Sequence, residues 1–121
     1  MPVDPTTALE KVPTTVYGNG EQASRAVAGQ IATLIKSKAS SGHKCVLGLA
    51  TGSTPVGVYE ELVRLHVSEG LSFANVVTIN LDEYYPMPPD QLQSYRRFMK
   101  EYLYDRVDID HTKLHLTVKM L

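Results

Sequence analysis

With 121 residues, 43% of them apolar and 21% charged, the chain has room for one domain with a real core. It is short for a complete α/β enzyme, and its composition is not that of a disordered segment. Twelve Lys and Arg balance thirteen Asp and Glu, so no global field recruits nucleic acid or an anionic membrane. No apolar run approaches the roughly 18 residues needed to span a bilayer.

The opening MPVDPTTALEKVP lacks the basic and apolar blocks of a signal peptide and reads as an extended lead-in over residues 1–13. Thr14 to Tyr17 is rich in β-formers and ends in the turn Gly18-Asn19-Gly20, which predicts a short strand. From Glu21 to Lys38 the apolar residues Ala23, Val27, Ile31, Leu34 and Ile35 recur at helical spacing and predict one buried stripe. Asn19 or Gly20 can cap that helix, and Ser40-Ser41-Gly42 closes it. Cys45 to Ala50 is a nearly continuous apolar run, the pattern of a parallel strand covered on both faces. Cys45 is the only cysteine, so no internal disulfide forms. A buried, inert thiol and a reducing cytoplasm are expected.

Pro55 to Glu69 predicts a second helix, with Val58, Leu62 and Leu65 on one face and Gly70 stopping it. Asn75 to Leu81 is the next strand. A third helix starts near 91–95, capped by Asp90 or Ser94, and runs to about Tyr104. The tail HTKLHLTVKML can begin a further strand. Strands alternating with helices in this way imply a parallel sheet with right-handed crossovers, in a single α/β domain over residues 1–121.

Two segments carry chemistry. Thr51-Gly52-Ser53-Thr54 leaves a strand and enters a helix at Pro55. Backbone N–H groups without intrahelical partners gather there, and the helix dipole adds partial positive charge. Gly52 permits close approach of a ligand, Ser53 and Thr54 offer hydroxyls, and Pro55 suits the first helical turn. The arrangement fits a phosphate. The same residues would also serve as an ordinary helix cap. Neither G-x-x-x-x-G-K-[ST] nor G-x-G-x-x-G is present, so a single phosphomonoester fits better than a nucleotide.

Asp82 and Glu83 follow directly on the next strand. In an open parallel sheet, ligands bind outside the carboxyl ends of the strands, which sets these carboxylates beside the cradle. Asp82 is the better candidate base, able to move a proton between adjacent carbons of a sugar phosphate, and Glu83 anchors the loop. The alternative is a water-facing acidic turn. Tyr84 and Tyr85, among prolines, suggest an aromatic wall. His111 and His115 are four apart but lack a carboxylate partner in a recognisable motif, so no metal site is expected. Arg96, Arg97, Lys100 and Arg106 alternate with Glu101 and Asp105, as on a solvated, ion-paired face.

Taken together, LGLATGSTPVGVYEELVRLH, LSFANVVTINLDEYYPM and LQSYRRFMKEYLYDRVDI closely resemble the glucosamine-6-phosphate deaminase (isomerase) family over roughly residues 14–110. The resemblance implies a Rossmann-like α/β fold, of which this chain carries the N-terminal portion. It implies conversion of glucosamine 6-phosphate and water to fructose 6-phosphate and ammonia, with no organic cofactor and no catalytic metal. Gly52, Ser53 and Thr54, with Thr51 leading in, would hold the sugar phosphate. Asp82 would be the proton-shuttling base, with Glu83 and Tyr84 beside it. The implied partner is a small sugar phosphate, neither nucleic acid nor membrane, and a homo-oligomer is compatible with the sequence. Members of the family continue into an Asp-Gly-His segment and an Asn-Glu-Pro segment that supply the ring-opening histidine and its acidic partner. Neither segment is found here, and His43, His66, His111 and His115 sit in other contexts. The chain alone is therefore expected to be inactive. Two other readings remain: a non-catalytic sugar-phosphate-binding module, and a 6-phosphogluconolactonase-like hydrolase.

Overall fold

The computed structural model describes residues 14–82 and 89–118. In chain order these form α1 (Gly20–Ser40), β1 (Cys45–Leu49), α2 (Val56–Glu69), β2 (Val76–Asp82), α3 (Pro89–Tyr102), two 3₁₀ turns (Tyr104–Arg106 and His111–Lys113) and β3 (Leu114–Val118). The three strands are all parallel, in the order β1-β2-β3. This is the Rossmann-like α/β arrangement in its N-terminal portion. The expected lead-in at 1–13 lies outside the described residues.

The expected strand at Thr14–Tyr17 does not form. That stretch pairs with no strand among the described residues, and Val16 stays 76% exposed. β-propensity without a neighbouring ladder does not make a strand. The chain goes directly into α1, whose N-terminus is closed twice: Asn19 Oδ1 accepts from the Gln22 N–H at 2.8 Å, and Gln22 Oε1 accepts from the Gly18 N–H at 3.1 Å. The buried stripe of α1 is Ala28, Ala32 and Ile35, with Ile31 half-buried, while Val27 and Leu34 face outward. The packing explains the shift. α1 lies close against α2, so close that a Cβ on Gly57 would sit 2.6 Å from Ser24 Oγ, and small alanines suit such a contact better than Val and Leu. α2 ends at Gly70 in the left-handed conformation. α3 starts at Pro89, earlier than expected, and gives way after Tyr102 to the 3₁₀ turn at Tyr104–Arg106.

Cys45, Leu47 and Leu49 of β1 pair with Val76, Thr78 and Asn80 of β2, and these six share the buried face. Onto it pack Ala28, Ala32 and Ile35 of α1, Tyr59 and Leu62 of α2, and Met99, Leu103 and Tyr104 at the end of α3. Burial pushes the Cys45 thiol pKa upward, away from the reactive thiolate form. Among the described residues, coverage of both faces of β1 does not hold. Its burial alternates, and Val46 on the other face is 58% exposed. Sequential strand order with same-handed crossovers puts α2 and α3 on one side, so one face of the described sheet stays open. Arg97 pairs with Glu101 at 2.9 Å on the solvated side of α3, as the charge pattern predicted. Among the described residues no helix is long and apolar enough to cross a membrane.

The amino edge of the sheet is tied by side chains. Asn75 Nδ2 donates to the carbonyls of Ile35 at 3.1 Å and His43 at 3.3 Å, joining the start of β2 to the end of α1. Asp108, beyond α3, accepts from the Phe73 N–H at 2.6 Å and from the Ser72 hydroxyl at 2.7 Å. His66 Nδ1 lies 3.6 Å from Asp108 and 2.6 Å from the Leu71 carbonyl oxygen. Partial burial raises the Asp108 pKa, but the donors from Phe73 and Ser72 outweigh it and leave the carboxyl below its ordinary value. A depressed carboxyl stabilises the fold above its unfolded pKa and loses that contribution as pH falls through the folded value. Asp108→Asn should therefore cost about 1 kcal/mol at about pH 7, a modest figure because the carboxylate is partly solvated. In urea titrations the gap between the two proteins should close as pH falls below the ordinary carboxylate range.

Candidate functional site

The site grows from the place where β1 stops. Pairing with β2 ends at Leu49↔Asn80. Ala50 leaves the sheet, Thr51 to Thr54 cross its edge, and α2 begins at Val56. Gly52 has φ +115°, a region from which a Cβ is effectively excluded, so the glycine shapes this loop. Pro55 has helical angles (φ −79°, ψ −7°) and flanks the first α2 residue, one position from the expected start. No side chain caps α2. Ser53 and Thr54 are exposed, and among the described residues neither hydroxyl has a hydrogen-bond partner. The ordinary capping use of these hydroxyls is not what the structure shows. The first N–H groups of α2 and two hydroxyls are left at one turn, beside the positive end of a fourteen-residue helix.

Asp82 is the last residue of β2, two positions beyond the Leu49↔Asn80 pair. Thr51 is two positions beyond the same pair on the β1 side. The cradle and Asp82 thus leave neighbouring parallel strands at the same edge and level, as the sequence argument required of their backbones. Glu83, Tyr84 and Tyr85 lie outside the described residues.

Beneath this edge is a buried polar array that sequence reasoning missed. The Tyr104 hydroxyl donates to Asn80 Oδ1 at 2.5 Å and lies 3.0 Å from Thr78 Oγ1. Asn80 Nδ2 reaches the Leu49 carbonyl at 3.5 Å. Thr78 and Asn80 are the buried polar residues of the core. Paired in this way, they cost little and bind the ends of β1 and β2 to the turn after α3. The available signal was an asparagine and a threonine at alternate positions of an otherwise apolar strand. A second missed residue is Tyr59, buried in the first turn of α2, whose hydroxyl contacts the backbone of Ala50.

A cleft of about 860 Å³ runs between the first turns of α1 and α2 and reaches Ser53 and Thr54. Its guanidinium groups are already committed, Arg25 to Glu21 at 2.7 Å and Arg64 to Glu61 at 2.6 Å. Among the described residues no cluster of three His, Cys, Asp or Glu could hold a metal ion. His43 precedes β1, His66 sits in the last turn of α2, and His111 sits in the 3₁₀ turn before β3, all toward the amino edge and away from the loop at 51–54. His115 lies within β3, where its backbone pairs with Ile79.

Comparison with known proteins converges on one group. A family model described as glucosamine-6-phosphate isomerases/6-phosphogluconolactonase matches residues 18–120. Glucosamine-6-phosphate deaminase 2 of Giardia intestinalis is 54% identical over 89 residues, covering 74% of this chain and 32% of that protein. Glucosamine-6-phosphate deaminase of Bacillus velezensis is 50% identical over 88 residues, covering 73% and 35%. A solved structure of a monomeric glucosamine-6-phosphate deaminase superposes with TM-score 0.70 at 39% identity, covering 81% of this chain and 39% of that one. The chain thus spans about a third of the length of these relatives.

The loop's dependence on Gly52 is open to test. A Cβ there meets nothing within 4 Å, so the cost of Gly52→Ala is conformational and not a clash. The substitution should lower unfolding stability by roughly 1–3 kcal/mol, or relax the loop with a smaller loss. Urea denaturation gives the first outcome and shifted amide resonances at residues 51–54 give the second. An unchanged protein by both measures would remove the glycine's role.

Proposed function

Since the chain belongs to the family of glucosamine-6-phosphate isomerases and 6-phosphogluconolactonases, we propose that it is the phosphate-binding and proton-shuttling portion of an amino-sugar phosphate isomerase/deaminase. The reaction takes glucosamine 6-phosphate and water to fructose 6-phosphate and ammonia. One observation carries the reading: the Thr51–Thr54 loop and Asp82 leave adjacent parallel strands at the same level. The phosphate would accept hydrogen bonds from the backbone of Gly52 to Thr54 and from the hydroxyls of Ser53 and Thr54, with the α2 dipole behind them. Asp82 would take the proton from the second sugar carbon and return it to the first. The resulting imine would add water and release ammonia. Glu83 and Tyr84 would border the sugar. The single buried thiol suits a reducing cytoplasm.

Ring opening needs an acid near the sugar, and the described histidines placed at the amino edge do not reach the cradle. The 121-residue chain alone is therefore proposed to bind and not to turn over. Calorimetric titration should show millimolar or tighter binding of glucosamine 6-phosphate, no comparable binding of free glucosamine, and no ammonia. Equal behaviour of the two sugars would remove the phosphate reading.

In a longer protein that carries this segment together with a ring-opening acid, Asp82→Asn should lower kcat by about 10²–10⁴-fold and leave KM nearly unchanged. The amide keeps the shape of the carboxylate but cannot accept the proton. Ammonia release within a few-fold of the parent would make Asp82 a surface carboxylate. Rapid opening of 6-phosphogluconolactone by that protein would favour the hydrolase instead.

A further inference from the structure

Tyr59 touches both ends of the Thr51–Thr54 loop. Its backbone N–H donates to the Pro55 carbonyl at 3.1 Å, the first hydrogen bond of α2 and the loop's exit. Its hydroxyl accepts from the Ala50 N–H at 3.1 Å and donates to the Ala50 carbonyl oxygen, at the point where the chain leaves β1. Ala50 lies one residue past the last β1–β2 pair, so the sheet no longer serves its backbone groups. One hydroxyl supplies a partner to each of them. The ring is 2% exposed, packed in the core with Leu62 and Leu49, which leaves the hydroxyl little freedom to move away.

We propose that the Tyr59 hydroxyl is the positioning group of the anion cradle, fixing the distance between the end of β1 and the start of α2 and thereby the conformation of residues 51–54. This rests on the reading of that loop as a phosphate site. Tyr59 does not touch the anion; it acts through Ala50. A loop of four residues held at its start by this buried hydroxyl and at its exit by the backbone N–H of the same residue is ordered before its ligand arrives. Binding then avoids the cost of ordering it. Without the hydroxyl, the Ala50 N–H and carbonyl turn to water, and the loop's first anchor is lost while its second, the Tyr59 N–H, remains.

The test compares two single-oxygen deletions in the 121-residue chain. Tyr59→Phe removes the loop anchor, and Tyr104→Phe removes a buried hydroxyl that serves Asn80 and Thr78 but not the loop. Both should lower thermal stability. Only Tyr59→Phe should speed hydrogen exchange at the Ala50 amide, where the loop begins, beyond that general loss, by about tenfold, and weaken inorganic phosphate binding by about tenfold. Tyr104→Phe should leave Ala50 exchange and phosphate affinity near the parent values once global stability is matched.

Ala50 exchange unchanged in Tyr59→Phe, or changed equally in both variants, overturns the proposal. The parent protein supplies a check that needs no variant, since an Ala50 amide exchanging as freely as an exposed one also overturns it. If the parent fails to respond to phosphate while Tyr59→Phe still loosens the loop, Tyr59 keeps its role and the phosphate reading is what fails.

Discussion

The parallel register that sets Leu49 beside Asn80 is the constraint on which the rest depends. In a parallel pair both carboxyl ends lie at one edge, so whatever each strand delivers next is delivered side by side. Were β1 and β2 antiparallel, the loop after Leu49 and the residue ending β2 would stand at opposite edges, about 17–20 Å apart for strands of this length. The register has a physical source in each strand's apolar alternation, because a slip of one residue would turn Cys45, Leu47 and Leu49 out of the core. Parallel pairing in turn requires a long crossover. That crossover is α2, and its first turn is also the wall of the cradle. Fold and candidate site therefore share a single element.

Polar contacts divide the work between the two edges. At the amino edge, Asn75 and Asp108 fasten connecting segments to backbone groups that the strands leave open. At the carboxyl edge, the Tyr104–Asn80–Leu49 array and the Tyr59–Ala50 contact hold the ends of β1 and β2 from inside the core. The groups on the outer side of that edge, Ser53 and Thr54, have no partner among the described residues. An edge braced from within and unsatisfied without is what a binding surface needs, because its donors cost nothing further to organise.

The order of elements from Gly20 onward could be read from periodicity and punctuation, since each of those signals is local. Asn19 caps α1 because its side chain reaches a backbone N–H three residues on, and Gly70 ends α2 because only glycine is at ease with φ of +73°. What escaped the sequence was decided by neighbours. Thr14–Tyr17 has the residues of a strand but joins no ladder among the described residues. The buried stripe of α1 turned toward Ala28 and Ala32 because α2 approaches closely at Gly57. Val46 looked like a fully buried strand residue because continuous apolar runs say nothing about how many faces are covered. Of the candidate site, the turn at residues 51–54 and the strand-end position of Asp82 were legible as motifs. The tyrosines beneath were not, since an aromatic at a core position reads as packing until its hydroxyl is seen to meet a backbone atom 9 residues away.

The division of labour follows from the same geometry. On the proposed reading, the phosphate is the part of the substrate that does not react, and its binding energy is available to hold the sugar against Asp82. Uniform binding of that kind lowers KM without raising kcat, and only groups that respond to charge developing in the transition state do the second. On that reading the described segment would supply the first kind through a helix terminus, backbone donors and two hydroxyls. Of the second kind it would supply one base. Proton transfer between adjacent carbons requires the open-chain sugar, so a base without a ring-opening acid faces a substrate whose reactive form is scarce. On that reading, binding affinity and catalysis would be separable in this molecule. The cradle can be tested by binding alone, whereas Asp82 shows its role only where an acid delivers the open chain to it.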